Sequence, residues 1–209
     1  MKPIIFHVEA AGKFRPVEFA FATESEVRRV RAWRKMTPAS AAGEFAALAA
    51  KRWFYYTREG ATVASLEDLR AAVKRNDRAE LAFLMVASAT WAQRYKFLAL
   101  AYCRRTWCHH LVLDFLAVRP GLTFGNQPIA GLGSGVLFSL AGIADSLDME
   151  TVWGEATASS APFYERALRF RSVQDLFIIR QDKMRRFRER FLDKMKRRLA
   201  ESEFRKHYY

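Results

Sequence analysis

Residues 129–138 read Ile-Ala-Gly-Leu-Gly-Ser-Gly-Val-Leu-Phe. Three glycines alternate here with small or apolar residues, directly before a run whose apolar side chains recur at helical spacing. A glycine loop can bring several backbone N–H groups close to a phosphate, because no Cβ stands in the way. The helix that follows adds its own unpaired N–H groups and the positive end of its dipole. The stretch therefore predicts a site for a phosphate-bearing ligand.

The segments on either side of this loop predict a βαβ unit. Upstream, Leu111–Val118 is apolar apart from Asp114, and Pro120 ends the run, which is typical of a mostly buried strand. Downstream, Gly135–Asp148 has the spacing of a helix, and Met149–Thr157 is a second strand candidate. Strand, glycine loop, helix and strand in this order form a right-handed unit with parallel strands.

Three interpretations of the loop compete. A dinucleotide site of the Rossmann type requires G-x-G-x-x-G, whereas the glycines here run G-x-G-x-G in a strand–helix turn far from the start of the chain. A P-loop requires Gly-Lys followed by Ser or Thr, and no lysine follows these glycines. The third interpretation is a loop that binds the pyrophosphate of coenzyme A.

Four stretches in this order carry a family resemblance: Leu113-Asp-Phe-Leu-Ala-Val-Arg-Pro120, Gly131-Leu-Gly-Ser-Gly-Val-Leu137, Val152-Trp-Gly-Glu-Ala-Thr157 and Pro162-Phe-Tyr-Glu-Arg166. Together they resemble the GNAT superfamily of acyl-CoA N-acyltransferases over roughly residues 80–180. The resemblance implies an α/β (α+β) fold with a mixed central sheet of about six to seven strands flanked by helices. It also implies acetyl-CoA as cosubstrate and no metal.

The chain departs from the family pattern at three places. The Arg or Gln that precedes the loop glycines in the family falls on Pro128, with Gln127 beside it. The segment Gly121–Ala130 is several residues longer than usual. The family's Tyr-x-x-x-Gly-Phe is replaced by Tyr164-Glu-Arg-Ala-Leu-Arg-Phe170, which has no glycine.

The resemblance implies which residues would hold the cofactor. The pyrophosphate would be bound by backbone N–H groups of Ala130, Gly131, Leu132, Gly133, Ser134 and Gly135. The pantetheine arm would pair, as a pseudo-strand, with the main chain of Leu116, Ala117 and Val118. A backbone N–H of that segment would polarise the thioester carbonyl. The alternative for the strand is simply the buried centre of a sheet.

Tyr164 matches the family's tyrosine, which the resemblance implies would protonate the sulfur of the departing CoA. The alternative is a half-buried tyrosine that packs a helix on the sheet. For the general base, the candidates are Glu155, at the end of the second strand, and Asp114, each acting through water. Even-numbered residues of the first strand are expected to share one face, which would place Asp114 beside Leu116. The alternative for Asp114 is an ion pair with an arginine such as Arg104 or Arg105, and for Glu155 a contact with a helix N-terminus.

The chain is expected to be one domain spanning residues 1–209. Residues 23–76 are predicted to form a helical insertion or acceptor-side wall, and 181–209 a basic helical tail. Further strands are predicted at Ile4–Glu9, Pro16–Ala22, Glu80–Ser88, Tyr95–Cys103 and Asp175–Ile179. Helices are predicted from near Ser25 to Lys35, from Thr37-Pro38 to Tyr56, over Ser65–Asn76 and over Gln181–His207. The first of them begins at a capping box, Thr23-Glu-Ser-Glu26. In the last helix an apolar stripe, Phe187, Phe191, Met195 and Leu199, indicates core packing or a partner helix.

The charge of the chain limits its partners. It has 35 Lys and Arg against 22 Asp and Glu, a net charge of +13, which favours polyanions such as nucleic acid or CoA itself. The tail 181–209 holds 11 basic and 5 acidic residues, and a second basic cluster lies at 28–35. Both clusters have a simpler interpretation as solvated helix faces.

The location and the redox state follow from the remaining composition. No run of 18 apolar residues indicates a membrane helix, and the N-terminus is too weakly apolar for a signal peptide. Two cysteines indicate reduced thiols and a cytoplasmic protein, and Cys103-x4-Cys108-His109-His110 matches no common zinc spacing.

Two functions are consistent with these residues. The first is an N-acetyltransferase that moves an acetyl group from acetyl-CoA to an amine by direct attack, with the acceptor unidentified and a homodimer as a further expectation. The alternative is a catalytically degenerate protein of the same fold that binds RNA or another polyanion through its basic surface.

Overall fold

The computed structural model of the protein describes residues 3–35, 40–122 and 128–208, with side chains up to Glu201. The predicted helix start at Thr37-Pro38, and Gln127, lie outside these residues. The strands are β1 (Ile4–Ala10), β2 (Lys13–Phe21), β3 (Leu81–Ser88), β4 (Ala99–Arg105), β5 (Leu111–Val118), β6 (Ile129–Ala130), β7 (Thr151–Glu155) and β8 (Leu176–Arg180). The helices are α1 (Glu24–Arg31), α2 (Ala41–Arg58), α3 (Leu66–Arg75), α4 (Leu132–Asp145), α5 (Ala161–Leu168) and α6 (Gln181–Tyr208), and a 3-10 turn, Ala32–Lys35, follows α1.

Within the described residues, eight strands form one mixed sheet in the order β6-β1-β2-β3-β4-β5-β7-β8. The mixed α/β class is confirmed, and the sheet has one strand more than the seven that the sequence predicts. The additional strand, β6, has only two residues, which extend the edge of β1 through the pairs Glu9–Ala130 and Ala10–Ile129. So short a strand carries no periodic signal in the sequence.

The predicted βαβ unit is present. Strand β5 leads through the glycine stretch into α4 and then to β7, and β5 and β7 pair in parallel. The other strand pairs of the sheet are antiparallel. The parallel pairing extends only from Leu111–Val152 to Leu113–Gly154. Beyond these residues the two strands no longer pair, and this short register positions the candidate site.

A separate apolar core covers each face of the sheet. On one face α1 and α2 cover a cluster that includes Trp33, Trp53, Leu84 and Tyr102. On the other face α3, α4, α5 and α6 cover a larger cluster that includes Phe6 and other aromatic residues. We refer to these as the α2 face and the α4 face. The two faces matter because a substrate could reach the sheet from either side.

The start of α1 and the packing of α6 follow the sequence closely. The Thr23 N–H donates to the Glu26 carboxylate at 2.8 Å, as the capping-box pattern predicts. In α6, Phe187 is buried and the Phe191 ring stacks on Phe138 with centroids 4.7 Å apart. Core packing therefore accounts for these members of the apolar stripe. Within the described ranges no helix combines the length and the apolar character needed to cross a bilayer.

Candidate functional site

The strand β5 contains a β-bulge at Asp114. Tyr102 of β4 pairs with Phe115, whereas the next residue, Cys103, pairs with Leu113, so that Asp114 is the extra residue. A bulge of this kind bends a strand and increases its local twist. Strand β7 stops pairing with β5 at the same level, since Leu113–Gly154 is the last parallel pair. The bulge and the divergence of the two strands thus coincide and leave a fork in the sheet.

The bulge corrects one prediction about side-chain direction. Strict alternation would place Leu116 on the face of Asp114. Instead Asp114 and Phe115 both lie on the α2 face, where Asp114 contacts Arg52 and the Phe115 ring lies 5.9 Å from that of Phe45. Leu116 packs against the core of the α4 face. The expectation that Leu116 and Asp114 share a face is therefore wrong, because two consecutive residues of a bulge can point the same way.

Beyond the bulge, part of the β5 main chain is available on the side that β7 has left. The Arg119 N–H donates to the Leu98 carbonyl at 2.9 Å, which makes these residues a hydrogen-bonded pair in register with β4 and β5. Hydrogen-bonded and non-bonded pairs alternate along an antiparallel ladder. Ala117 therefore bonds to β4, whereas the N–H and C=O groups of Leu116 and Val118 point away from β4. This arrangement can receive an extended ligand as a pseudo-strand.

The glycine stretch forms the N-terminal turn of α4. Gly131 is the N-cap residue and has φ of +99°, in the left-handed region that favours glycine. The first hydrogen bond of the helix runs from the Gly135 N–H to the Gly131 carbonyl at 2.8 Å. The amides of Leu132, Gly133 and Ser134 precede this bond and so have no partner inside the helix. Three consecutive N–H groups and the helix dipole are therefore available to an anion.

The other two glycines serve packing. A Cβ on Gly135 would lie 2.1 Å from the Phe6 ring, so this glycine lets α4 approach strand β1 closely. A Cβ on Gly133 would lie 2.9 Å from the end of the Phe163 ring. The Gly135 amide is already used by the helix, and for this reason we do not include it among the groups that bind a ligand.

Tyr164 lies on α5 and is 5% exposed. Its ring stacks on Phe177 of β8, with centroids 4.1 Å apart. Phe177 in turn fills the space above Gly154, where a Cβ would lie 2.8 Å from that ring and 2.5 Å from the Leu113 carbonyl. Burial raises the pKa of Tyr164, so the phenol stays protonated at neutral pH. The residue thus packs as a core tyrosine on the α4 face, which is the alternative that the sequence left open for it.

The two carboxylates proposed as bases have different surroundings. Asp114 accepts hydrogen bonds from Arg104 at 2.7 and 2.9 Å and from Arg52 at 2.9 Å. Arg104 also binds Glu80. The ion pair with Arg104 that the sequence offered as the alternative for Asp114 is therefore present. Glu155 is exposed, and among the described residues no basic side chain lies within 4.0 Å of it.

Glu155 follows the last parallel pair of β7 directly, so it stands at the fork. Val152 belongs to the core of the α4 face, and strand residues alternate in direction. Glu155 therefore points to the α2 face, opposite to Tyr164. The exposed carboxylate of Glu155 and the buried phenol of Tyr164 thus lie on opposite sides of the sheet.

The amide turn of α4 opens on a cavity of about 710 Å³. Ala130, Gly131 and Ser134 line one side of it, and α5, α6 and the first two strands supply the rest. The fork residues Leu116–Val118 and Tyr164 are not part of this lining. The cavity is therefore next to the amide turn of α4 and distinct from the fork.

The Cys–His segment has structural contacts. Arg105, which is buried, donates to the Nδ1 of His109 at 3.2 Å, and the Nε2 of His109 lies 2.8 Å from the Leu147 carbonyl. Cys103 is buried in β4, whereas Cys108 is exposed. Across the part of the chain that the structure describes, no three Asp, Glu, His or Cys side chains are grouped as metal ligands.

The basic cluster at 28–35 lies beside a second groove, of about 1160 Å³, on the outer surface of α1 and α2. Arg28 pairs with Glu24 at 2.5 Å and Arg34 with Glu44 at 2.8 Å. These arginines are well exposed and carry their own counter-charges. This agrees with a solvated helix face.

Several residues that shape the site were not identified from the sequence. Gly154 and Phe177 set the position of Tyr164, and a glycine inside a strand is a known sign of close approach. His7, Arg169 and Arg190 line the cavity from three distant parts of the chain. No local pattern brings such residues together, so only tertiary packing could reveal them.

Comparison with solved structures identifies the class of fold. A protein from Desulfovibrio desulfuricans assigned to the GNAT family of acetyltransferases is similar over 78% of this chain and 96% of its own, with 17% identity and a TM-score of 0.50. An uncharacterized protein from Bacillus halodurans is similar over 91% and 97%, with 11% identity and a TM-score of 0.53. The chain therefore has the GNAT fold, as the motifs predicted.

Some other matches are shorter. One is to a Bacillus anthracis protein assigned as a streptothricin acetyltransferase, in complex with acetyl coenzyme A, with 12% identity, 41% of this chain covered and a TM-score of 0.33. This chain spans about half the length of that protein and of a nourseothricin acetyltransferase, 46% and 48%. No protein-family model matches the chain, and no curated protein matches it.

Proposed function

We propose that the protein is an acyltransferase that moves an acetyl group from acetyl-CoA to an amine. The observation that carries the proposal is the fork at Asp114 together with the free amides of α4, which follows β5 in the βαβ unit. Strand β5 offers main-chain hydrogen bonds to an extended arm, and the first turn of α4 offers N–H groups to a diphosphate. Coenzyme A has both parts, and the GNAT fold makes this chemistry the first expectation.

In this proposal each part of the chain has one task. The amides of Leu132, Gly133 and Ser134 bind the pyrophosphate. The main chain of Leu116 and Val118 pairs with the pantetheine arm, and one of these N–H groups donates to the thioester oxygen. Charge that develops on this oxygen in the transition state is then stabilised by a fixed donor.

The amine attacks the thioester carbonyl from the α2 face. The C–N bond forms and the C–S bond breaks, so that the amide and a CoA thiolate are produced. The Tyr164 phenol gives its proton to the thiolate, and Glu155 takes the proton of the attacking amine through a water molecule. We place the acceptor on the side of α1 and α2, and propose that these helices form its wall.

Binding of acetyl-CoA by calorimetry tests the proposal, with Ser134→Asp as the diagnostic variant. Ser134 is the third residue of α4, where a carboxylate is favourable to the helix dipole, so the fold is expected to be kept. The same carboxylate would repel a diphosphate. We expect the affinity for acetyl-CoA to fall about tenfold or more, with an unchanged melting temperature.

Asn76→Asp is the matched control, because it adds the same charge at an exposed position where the side-chain oxygen already accepts from the Arg78 N–H. It should leave the affinity unchanged. If the unaltered protein does not bind acetyl-CoA, and binds RNA with a steep salt dependence instead, the alternative of a degenerate binding protein replaces this proposal.

A further inference from the structure

Arg52 of α2 contacts both residues of the bulge that point to the α2 face. Its Nη1 donates to the Asp114 carboxylate at 2.9 Å, and its guanidinium carbon lies 5.4 Å from the centroid of the Phe115 ring. A guanidinium at this distance from an aromatic face is attracted to it. A single side chain of α2 thus binds the extra residue of β5 and the residue after it.

The bulge decides where the main chain of β5 runs beyond it. The register with β4 shifts between Tyr102 and Cys103, and the pairing with β7 ends at Leu113. Among the described strands, β4 is the one that pairs with Leu116–Val118. A bulge bends its strand and increases the local twist, so a change in its angle moves the N–H groups that follow. These N–H groups include the proposed donor to the thioester oxygen.

A second arginine holds Asp114 from within the sheet. Arg104 of β4 donates to the Asp114 carboxylate at 2.7 and 2.9 Å and to Glu80 at 2.9 Å, and the Tyr56 hydroxyl also donates to Glu80. The Asp114 side chain is only 10% exposed, so this ion pair lies largely inside the protein. Because Arg104 supplies two hydrogen bonds, Asp114 keeps a counter-charge when Arg52 is removed.

Arg52 differs from Arg104 in its exposure. Its side chain is 49% exposed, against 22% for Arg104. An ion pair that water can reach adds little to the free energy of unfolding. Stability therefore does not explain why Arg52 binds both bulge residues. The two contacts restrict direction instead, because the ion pair holds the Asp114 carboxylate while the guanidinium holds the Phe115 ring beside it.

We infer that Arg52 is a positioning residue, which holds the bulge at the angle that aims a main-chain N–H of Leu116 or Val118 at the thioester oxygen. This inference rests on the proposed function. A donor stabilises a developing oxyanion only if it already lies in place, and a misplacement of about 1 Å can slow a reaction about a hundredfold. Arg52 acts through the main chain of β5 and is not required to touch the substrate.

Infrared spectra of bound acetyl-CoA, labelled with ¹³C at the thioester carbonyl, test the inference without a known amine. A hydrogen bond to this carbonyl lowers its stretching frequency, so the band should move down when acetyl-CoA binds to the unaltered protein. In Arg52→Met we expect most of this shift to be lost. The calorimetric affinity and the melting temperature should stay close to those of the parent, because the amides of α4 still bind the diphosphate and Arg104 still pairs with Asp114. Arg52→Lys keeps the charge without the planar guanidinium and should give an intermediate shift.

Lys51→Met is the matched control. Lys51 is the neighbouring exposed cation of α2, and it lines the groove on the outer surface of the helices. Its removal takes away the same charge and should leave the carbonyl band unchanged. With an accepted amine, Arg52→Met should lower kcat about tenfold or more and leave the KM for the amine unchanged.

The outcomes separate this inference from the proposed function. A full carbonyl shift in Arg52→Met, or no shift in the parent with acetyl-CoA bound, would overturn the inference while the acyltransferase proposal stands. A raised KM for the amine with an unchanged kcat would also overturn it, since Arg52 would then bind the acceptor. A large fall in the melting temperature of Arg52→Met would show a structural role and overturn it too. A parent protein that does not bind acetyl-CoA would overturn the inference together with the proposed function.

Discussion

Two groups of arginines, one on each face of the sheet, are in opposite electrostatic situations. On the α2 face, Arg52 and Arg104 surround the Asp114 carboxylate, and Arg104 also binds Glu80. On the α4 face, burial and the like charges of Arg169 and Arg186 lower the pKa of Arg190 beside the cavity, and Glu189 offsets this in part. Among the described residues no carboxylate lies within 4.0 Å of Arg169 or Arg190. Both pairs belong to the same basic surplus in the sequence. The first group is neutralised by the protein itself, and the second has positive charge available for a ligand.

This difference indicates how a basic composition should be interpreted. Counting charges gives +13 but does not distinguish a cation that holds strands together from one that binds an anion. The distinction depends on partners and on burial, because a paired charge contributes to the fold, whereas an unpaired and partly buried one is costly until a ligand arrives.

The largest expected effect is on the paired side. Asp114→Asn removes the carboxylate that neutralises Arg52 and Arg104, and the Asp114 side chain is only 10% exposed. Breaking such a pair leaves uncompensated charge, so we expect the free energy of unfolding to fall by about 3 kcal/mol. Urea denaturation measures this. A variant that is as stable as the parent but inactive would show instead that Asp114 acts in catalysis.

The second effect concerns Glu155, the exposed carboxylate at the fork. Glu155→Gln should leave stability unchanged, because Glu155 is exposed and unpaired within the described residues. Its kcat should fall about a hundredfold if Glu155 is the base. Steady-state release of CoA with an accepted amine measures this rate. Tyr164→Phe is the companion variant and should also lower kcat, with an unchanged affinity for acetyl-CoA. Full activity of Glu155→Gln would remove Glu155 from the mechanism.

The smallest effect concerns the unpaired side. Arg190→Gln removes one of several crowded cations, so the unfolding free energy should stay within about 0.5 kcal/mol of the parent or rise slightly. Thermal denaturation without ligand measures this free energy. Arg185→Gln, at an exposed position on α6, is the control. A large loss of stability would show that Arg190 is a structural arginine like Arg104, and the contrast between the faces would no longer hold.

The local architecture could be predicted because its signals are local. The apolar run Leu111–Val118, the glycines after it and the helical spacing beyond gave the βαβ unit, and the edges of α4 and β7 differ from the prediction by a few residues. The capping box at Thr23 gave the start of α1. Among the strands that the structure describes, the prediction missed β6, whose two residues have no pattern.

The site could be predicted only in part. The free amides of α4 follow from the glycine stretch, but the fork depends on the bulge at Asp114, which breaks the two-residue period that sequence reasoning assumes. The partners of Asp114 come from α2 and β4, and the cavity joins His7 to Arg190. Contacts between distant segments arise only in the packed fold, so no local sequence pattern predicts them.

The central claim is that the N-terminal turn of α4 binds a diphosphate while the thioester lies in the fork of β5 and β7. A crystal structure of the protein with acetyl-CoA tests it most directly. We expect the diphosphate within hydrogen-bond distance of the Leu132, Gly133 and Ser134 amides, and the thioester oxygen at a main-chain N–H of Leu116 or Val118. Acetyl-CoA bound elsewhere, with Phe163 still packed over Gly133 and the amides of the turn unused, would contradict it.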